Sequence, residues 1–218
     1  MIFIKILLVF ITLLISPIIT RTNTKNNEKL TIALDPGHDG VYDTGTNVDN
    51  VHEGDINLEI SLKLKEILEE DYNVILTRTN ENYLGNSEHF VKKEDLNQRI
   101  GIINQSKCNM FLSIHQNFFP ISNYHGAEIH YNNTNSFNKG LSFLILNSIK
   151  MDLNNTTRDI KENNEVYILK HISPPGCLIE CGFMSNKDEL RNLQNIDYQL
   201  KLVWAIKKGI DTYFEIMA

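Results

Sequence analysis

The chain has 218 residues, 42% hydrophobic and 22% charged, with 21 Lys and Arg against 27 Asp and Glu for a formal charge of −6. That composition excludes intrinsic disorder and collagen-like architecture. The mildly acidic balance gives no global field to attract a polyanion, so no nucleic-acid partner is expected.

Residues 1–20 (MIFIKILLVFITLLISPIIT) carry a single charge, Lys5, and a polar stretch follows. A short basic start, an apolar run and a polar exit form the pattern of an export signal. The run from Ile6 to Thr20 is short for a spanning helix, which needs about 20 residues, and no small-x-small cleavage site stands out. The segment is read as a signal peptide or an N-terminal membrane anchor, residues 21–29 as a polar linker, and residues 30–218 as one domain large enough for a full core.

Within that domain, Leu30–Leu34 (LTIAL) predicts a buried strand stopped by Asp35-Pro36-Gly37. Val41–Gly54 reads as a loop. From Asp55, Ile56, Ile60, Leu64, Ile67 and Leu68 recur at helical spacing with charged residues opposite. Asn73–Thr77 predicts a second strand, Asn80–Lys93 a polar loop, Asp95–Gln105 a helix with Leu96, Ile100 and Ile103 inward, and Met110–His115 a third strand. Ala127–Tyr131 predicts a fourth strand, Phe137–Leu153 a helix, Tyr167–Leu169 a short strand, and Cys177–Glu180 the last strong strand after Pro174-Pro175-Gly176. Lys187–Leu193 and Tyr198–Phe214 close the chain as helices. Strands alternating with helices argue for a single-domain α/β fold: a mixed, mostly parallel sheet flanked by helices on both faces. In such sheets ligands sit beyond the carboxyl ends of the strands.

At those ends the sequence sets two imidazoles and two carboxylates. The first strand runs into His38, Glu53 precedes the first long helix, the third strand ends at His115, and the last strand ends at Glu180. Two neutral His and one carboxylate fill three positions of a tetrahedral zinc site and leave the fourth open, as in catalytic zinc centres. A second carboxylate beside the open position can accept and return a proton. A carboxylate following Leu178 and Ile179 in a buried strand is costly unless it is paired or ligates a metal. No short spacing such as HExxH is present, so the set rests on its shared position in the fold.

These residues carry a resemblance. IALDPGHDG, HEGDINLEISLKLKEIL, LNQRIGIINQSKCNMFLSIHQN, GAEIHY and CLIECGFMSNKDE, in that order from Leu30 towards the C-terminus, resemble the zinc N-acetylmuramoyl-L-alanine amidases of the Amidase_3 type. The stretch LNNTTRDIKENNEVYILKHISPPGCLIECGFMSN resembles their spore germination-specific, CwlD-type branch. The resemblance implies one Zn²⁺ held by His38 of the DPGH motif, Glu53 and His115 of the SIH motif, with Glu180 of the E-x-G-F-x-S-N motif as catalytic carboxylate. It implies hydrolysis of the amide between the lactyl group of N-acetylmuramic acid and the L-alanine of peptidoglycan stem peptides. In the germination branch this clears spore-cortex glycan strands for muramic-δ-lactam formation. Peptidoglycan stem peptides and glycan strands are then the partners, with a protein activator as a further one. The site of action is extracytoplasmic, in the cell wall or the forespore intermembrane space. Vegetative wall turnover and a catalytically silent wall- or partner-binding module are the alternatives. Glu53-Gly54 replaces the Glu-Lys of many members, and Phe118-Phe119 replaces the small residues that often follow SIHxN.

Other polar residues divide by chemistry. Asn117 and Arg158 are candidate substrate contacts, and Asp35 either orients His38 from behind or caps the turn. Arg99 is read as a structural ion pair, and His125, His130 and His171 as surface or structural residues. His52 is a substitute ligand beside Glu53. Strand alternation turns Cys181 away from Glu180 and makes it a packing residue. The three cysteines, Cys108, Cys177 and Cys181, have no CxxC spacing and predict no disulfide framework.

Overall fold

A computed structural model describes residues 28–85 and 88–218. The export or anchor segment 1–20 and linker residues 21–27 lie outside the described residues. Among the described residues no helix is long and apolar enough to cross a membrane.

In chain order the strands are β1 (Thr31–Pro36), β2 (Asn47–Val48), β3 (Val51–His52), β4 (Asn73–Leu76), β5 (Met110–Asn117), β6 (Glu128–Tyr131), β7 (Lys161–Glu162) and β8 (Gly176–Phe183). The helices are α1 (Glu53–Leu68), α2 (Lys92–Gln105), α3 (Asn138–Leu153), α4 (Tyr167–His171), α5 (Lys187–Leu193) and α6 (Ile196–Met217). Six strands form one sheet in the order β4-β1-β5-β8-β6-β7, and β2 and β3 form a separate hairpin. The first four in that order are parallel, β6 runs antiparallel to β8, and β7 is parallel to β6. The sheet is therefore mixed and mostly parallel, as the alternation of elements predicted.

Period-two alternation sorts each strand between two cores. Ile32 and Leu34, Met110, Leu112 and Ile114, and Cys177, Ile179 and Cys181 join the larger core, where the stripes of α1, α3 and α6 meet the sheet. Ala33, Phe111 and Leu178 face the other way into a smaller core with Ile103 of α2 and Ile168 and Leu169 of α4. Ile32, Leu112 and Ile179 are fully buried, and truncating any of them to alanine costs about 2–5 kcal/mol. The same alternation places Asp35, His115 and Glu180 on the smaller-core side, at the ends of the strands.

Three local expectations change. Glu53, two residues ahead of the predicted start, opens α1, with His52 as its N-cap. The loop Val41–Gly54 contains the hairpin β2–β3. Tyr167–Leu169 is part of helix α4, with Ile168, Leu169 and Ile172 buried. Three apolar residues cannot distinguish strand from helix by period, and here the spacing of Ile168 and Ile172 is the helical one.

Buried charge shapes the turn after β1. Asp35 accepts from Thr77 Oγ1 at 2.6 Å, Ser113 Oγ at 2.7 Å and Arg99 Nη1 at 2.9 Å. Arg99, 1% exposed, also donates to Asp95 Oδ2, to Pro36 O and to His38 O. The expected structural ion pair is thus present. Burial alone would raise the Asp35 pKa, but Arg99 and the two hydroxyls hold it below the usual value of 3.8. A carboxylate depressed in the folded state adds stability above its unfolded pKa and loses it as pH falls through the folded value. Arg99→Met is expected to destabilise the fold by about 3–5 kcal/mol, because Asp35 is left buried without its cation. Urea midpoints below about pH 4 are expected to fall more steeply for the wild type than for Asp35→Asn; parallel acid limbs would remove Asp35 as the source.

Candidate metal centre

The first ligand position is built by a turn. After Gly37 the chain takes a left-handed conformation at His38, with φ of 60°, and this swings the imidazole over the N-terminus of α1. His38 Nδ1 is 3.0 Å from Asp43 Oδ1, which leaves Nε2 directed at Glu53 Oε1, 3.3 Å away. Glu53 stands in the first turn of α1, where a carboxylate is favoured by the helix dipole. Its Oε2 accepts from Thr46 N and its Oε1 from Gln116 N. His115, near the end of β5, brings Nδ1 to 3.2 Å from the same Glu53 oxygen.

One ligand atom from each of His38, Glu53 and His115 lies within 4.8 Å of the others. A tetrahedral site with metal–ligand bonds of about 2.0–2.1 Å has edges of about 3.3 Å, and both imidazole–carboxylate separations match that edge. The surrounding backbone is shaped to the rings. A Cβ on Gly37 would meet the His115 ring at 2.2 Å, and one on Gly45 would meet Glu53 Oε2 at 2.6 Å and the His38 ring at 2.8 Å. The donor set and its cradle fit a divalent cation. His52 is not part of this group and sits 3.9 Å from Asp55 instead.

Sheet register supplies the fourth residue. His115 pairs with Glu180 across β5–β8, and Glu180 with Glu128 across β8–β6, so the three form a row on one face. A cleft of about 480 Å³ is lined by His38, Glu53, His115, Asn117 and Glu180. The β5–β8 register shifts between His115 and Asn117; such an irregularity re-aims side chains next to a site. Glu180 Oε2 is buried with no hydrogen-bond partner among the described residues. Burial, with the charges of Glu53 and Glu128, pushes its pKa up to about 8. For Glu53 burial acts the same way, but the two imidazoles outweigh it and hold the carboxyl well below its usual range.

Several expectations are relocated. Asp35 does not face His38: its oxygens are taken by Thr77, Ser113 and Arg99, and the residue behind His38 is Asp43, anchored by Lys92 at 3.0 Å. Arg158 lies beside the cleft and is paired with Glu128 at 3.0 Å. His130 is not an isolated surface histidine; its Nε2 is 3.0 Å from Glu128 Oε1. Cys181 is fully buried in the larger core, and burial pushes its thiol far up, so it offers no nucleophile. Arg78 carried no sequence signal, yet it donates to Pro36 O, Gly37 O and Gly54 O around the His38 turn.

Known proteins share the sequence pattern and the fold. The family model described as N-acetylmuramoyl-L-alanine amidase (Amidase_3) matches residues 32–212. The germination-specific N-acetylmuramoyl-L-alanine amidase of Bacillus subtilis is 36% identical over 188 residues, covering 84% of this chain and 79% of that protein. The CwlD amidase of Clostridioides difficile, solved in complex with the GerS lipoprotein, superposes with a TM-score of 0.82 at 38% identity, covering 86% of this chain and 100% of that one. The N-acetylmuramoyl-L-alanine amidase from Clostridium difficile 630 gives a TM-score of 0.77 at 30% identity, covering 86% of this chain and 97% of that one.

Two variants test the centre without an activity assay. His115→Ala is expected to lose the metal; stoichiometric metal by elemental analysis in that variant would remove it from the ligand set. Asp43→Ala is expected to keep the fold and weaken metal affinity by about 10–100-fold, the usual cost of losing the partner that orients a ligating histidine. Competition with a fluorescent chelator measures this, and an unchanged affinity would show that His38 needs no such partner.

Proposed function

The chain belongs to the N-acetylmuramoyl-L-alanine amidase family, and from that premise we propose that His38, Glu53 and His115 hold a zinc ion while Glu180 moves the protons of an amide hydrolysis. The enzyme is an N-acetylmuramoyl-L-alanine amidase. It hydrolyses the bond between the lactyl group of N-acetylmuramic acid and the L-alanine of a peptidoglycan stem peptide. The observation that carries the assignment of roles is the convergence of two imidazoles on one carboxylate oxygen, at 3.3 and 3.2 Å, beneath an unpartnered Glu180 oxygen.

When bound, the ion supplies Lewis acidity, which polarises the scissile carbonyl and makes water available as a nucleophile near neutral pH. The chain's own residues do the rest. Asp43 keeps His38 Nδ1 occupied, so that Nε2 is the free donor. Gln116 N and Thr46 N hold the Glu53 carboxylate. Glu180 accepts a proton from the attacking water as the new carbon–oxygen bond forms. It delivers that proton to the L-alanine nitrogen as the carbon–nitrogen bond breaks, and the remaining water proton passes from the new carboxyl group to the amine, leaving a lactyl carboxylate and a peptide ammonium. A carboxyl with a pKa raised towards neutrality suits both halves of that task. Asn117 lines the cleft and is proposed as a substrate contact.

The biological setting proposed is cortex maturation for spore germination, supported by the 36% identity to a germination-specific amidase. It requires extracytoplasmic action, with residues 1–20 as the export signal or anchor. A protein partner is proposed on the strength of the CwlD complex with a lipoprotein.

Glu180→Gln is expected to retain the metal and lower turnover by about 10²–10⁴-fold, read as release of L-alanine amino termini from purified cortex or wall peptidoglycan. Near-normal turnover would exclude Glu180 from the mechanism. Chelation should abolish release by the wild type, and added zinc should restore it.

A further inference from the structure

Two cavities flank the metal cleft and differ in character. One, of about 230 Å³, lies against His38 and His115; its surface comes mostly from Leu96, Val166, Tyr167, Ile168 and Leu178, with Asp43, Lys92, Asp95 and Arg99 also lining it. The other, of about 350 Å³, shares Asn117 and Glu180 with the metal cleft and runs out to His130, Arg158 and Lys161. The first is mostly apolar. The second holds two permanent cations, Arg158 and Lys161, together with Glu180 and the buried Glu128, and both cations are paired with Glu128.

Glu128 is 2% exposed. Lys161 Nζ lies 2.7 Å and His130 Nε2 3.0 Å from its Oε1, and Arg158 Nη1 lies 3.0 Å from its Oε2. Burial acts to raise its pKa, but the bonds to His130 and Lys161 outweigh it and bring the group to about 2. Glu128 is therefore an anion in the working range, and it is outnumbered by two permanent cations. Arg158 is fixed on every other side as well. Its Nε donates to His125 O at 2.9 Å, and its Cζ stands 4.5 Å from the centre of the Phe183 ring and 5.4 Å from that of Tyr124. Its Nη2 donates to nothing among the described residues. A guanidinium held in this way, with an unused donor and a place in the lining of the groove, is preorganised for an oxyanion.

The reaction sets which end of the substrate meets these cations. In the proposed reaction Glu180 hands its proton to the departing nitrogen, and Glu180 lines the second cavity as well as the metal cleft. The peptide leaving group then lies on the side of Arg158 and Lys161, and the lactyl and sugar portion on the side of Leu96 and Val166. Glu128 and Glu180 are register partners on antiparallel strands, so their Cα atoms are about 4.5–5.5 Å apart. A peptide advances about 3.3–3.6 Å per residue. The cations seated on Glu128 are therefore neighbours of Glu180, within reach of the residues that follow the scissile amide.

We propose that Arg158 and Lys161, seated on Glu128, form a subsite for a carboxylate of the peptide leaving group, so that the enzyme selects acidic over amidated stem peptides. This rests on the amidase reading above. The test uses the zinc-loaded full chain and two N-acetylmuramoyl-L-alanyl peptides that differ only in whether the second residue carries a free α-carboxylate or its carboxamide. The wild type is expected to favour the acid in kcat/KM by about 10-fold or more, the worth of a charge-assisted hydrogen bond, with the difference residing in KM. Lys161→Gln should reduce that ratio several-fold and Arg158→Gln should bring it close to one, both with full metal stoichiometry; Arg158→Lys should restore part of it. A wild type indifferent to the carboxylate would overturn the proposal. So would variants that lose both substrates in equal proportion, the signature of a merely structural Arg158. A wild type that cleaves neither peptide, with metal bound, would instead bring down the amidase reading on which the subsite depends.

Discussion

The arrangement depends on two buried guanidinium groups that hold the chain as it leaves β1. Beyond Pro36 the backbone no longer follows the sheet, and its carbonyls need other partners, because an unpaired buried carbonyl is costly. Arg99 takes Pro36 O and His38 O, while Arg78 takes Pro36 O, Gly37 O and Gly54 O. The second of these ties the β1 turn to the start of α1, the helix that carries Glu53. Burial and the neighbouring Arg99 lower the Arg78 pKa to about 10, which still leaves it charged at neutral pH. Asp35 and Asp95 supply the compensating anions. His38 can occupy its left-handed conformation because five donated hydrogen bonds and two ion pairs hold the segment around it.

What the turn does for His38, sheet register does for the other side of the cleft. His115, Glu180 and Glu128 fall on one face of three neighbouring strands because their register partners are fixed. A one-residue slip of β8 would turn Glu180 into the larger core and bring Cys181 into the cleft. The larger core guards against this: Cys177, Ile179 and Cys181 are packed there together with α3 and α6 residues. Stability and chemistry thus use opposite faces of the same strand. This explains how an ordinary apolar core positions a carboxylate to the precision that proton transfer needs.

Much of this was legible in the sequence where period or strand-end position carried it. The stripe Ile56, Ile60, Leu64, Ile67 and Leu68 is buried as read, and His38, Glu53, His115 and Glu180 line one cleft. What was not legible depends on contacts distant in the chain or on loop conformation. Asp43 is an unremarked acid in a polar loop until the His38 turn brings its carboxylate to the imidazole. Asp35 looked the better partner by adjacency, but strand alternation turns it towards Ser113 and Thr77. Glu128 and His130 share a strand face at i and i+2, a relation that period two contains; their importance emerged only with Lys161 and Arg158, which arrive some thirty residues later. α4 was too short for its period to be read.

The acids of this site can be ranked by what surrounds them. Asp35 has a guanidinium and two hydroxyls, Glu128 has Arg158, Lys161 and the His130 imidazole, and Glu189 accepts the backbone N–H groups of Gly126 and Phe183. Asp35 and Glu128 are held below their usual pKa by these partners, whereas burial still raises that of Glu189. Glu53 faces two imidazoles across distances that suit a shared ion better than a hydrogen bond to both. Glu180 has a buried oxygen left over and a raised pKa, with acids on both sides of it and no cation bonded to it. Among the described residues nothing donates to that oxygen, and an unpartnered buried acid destabilises the fold. The proton transfer proposed for Glu180 gives that burial a use.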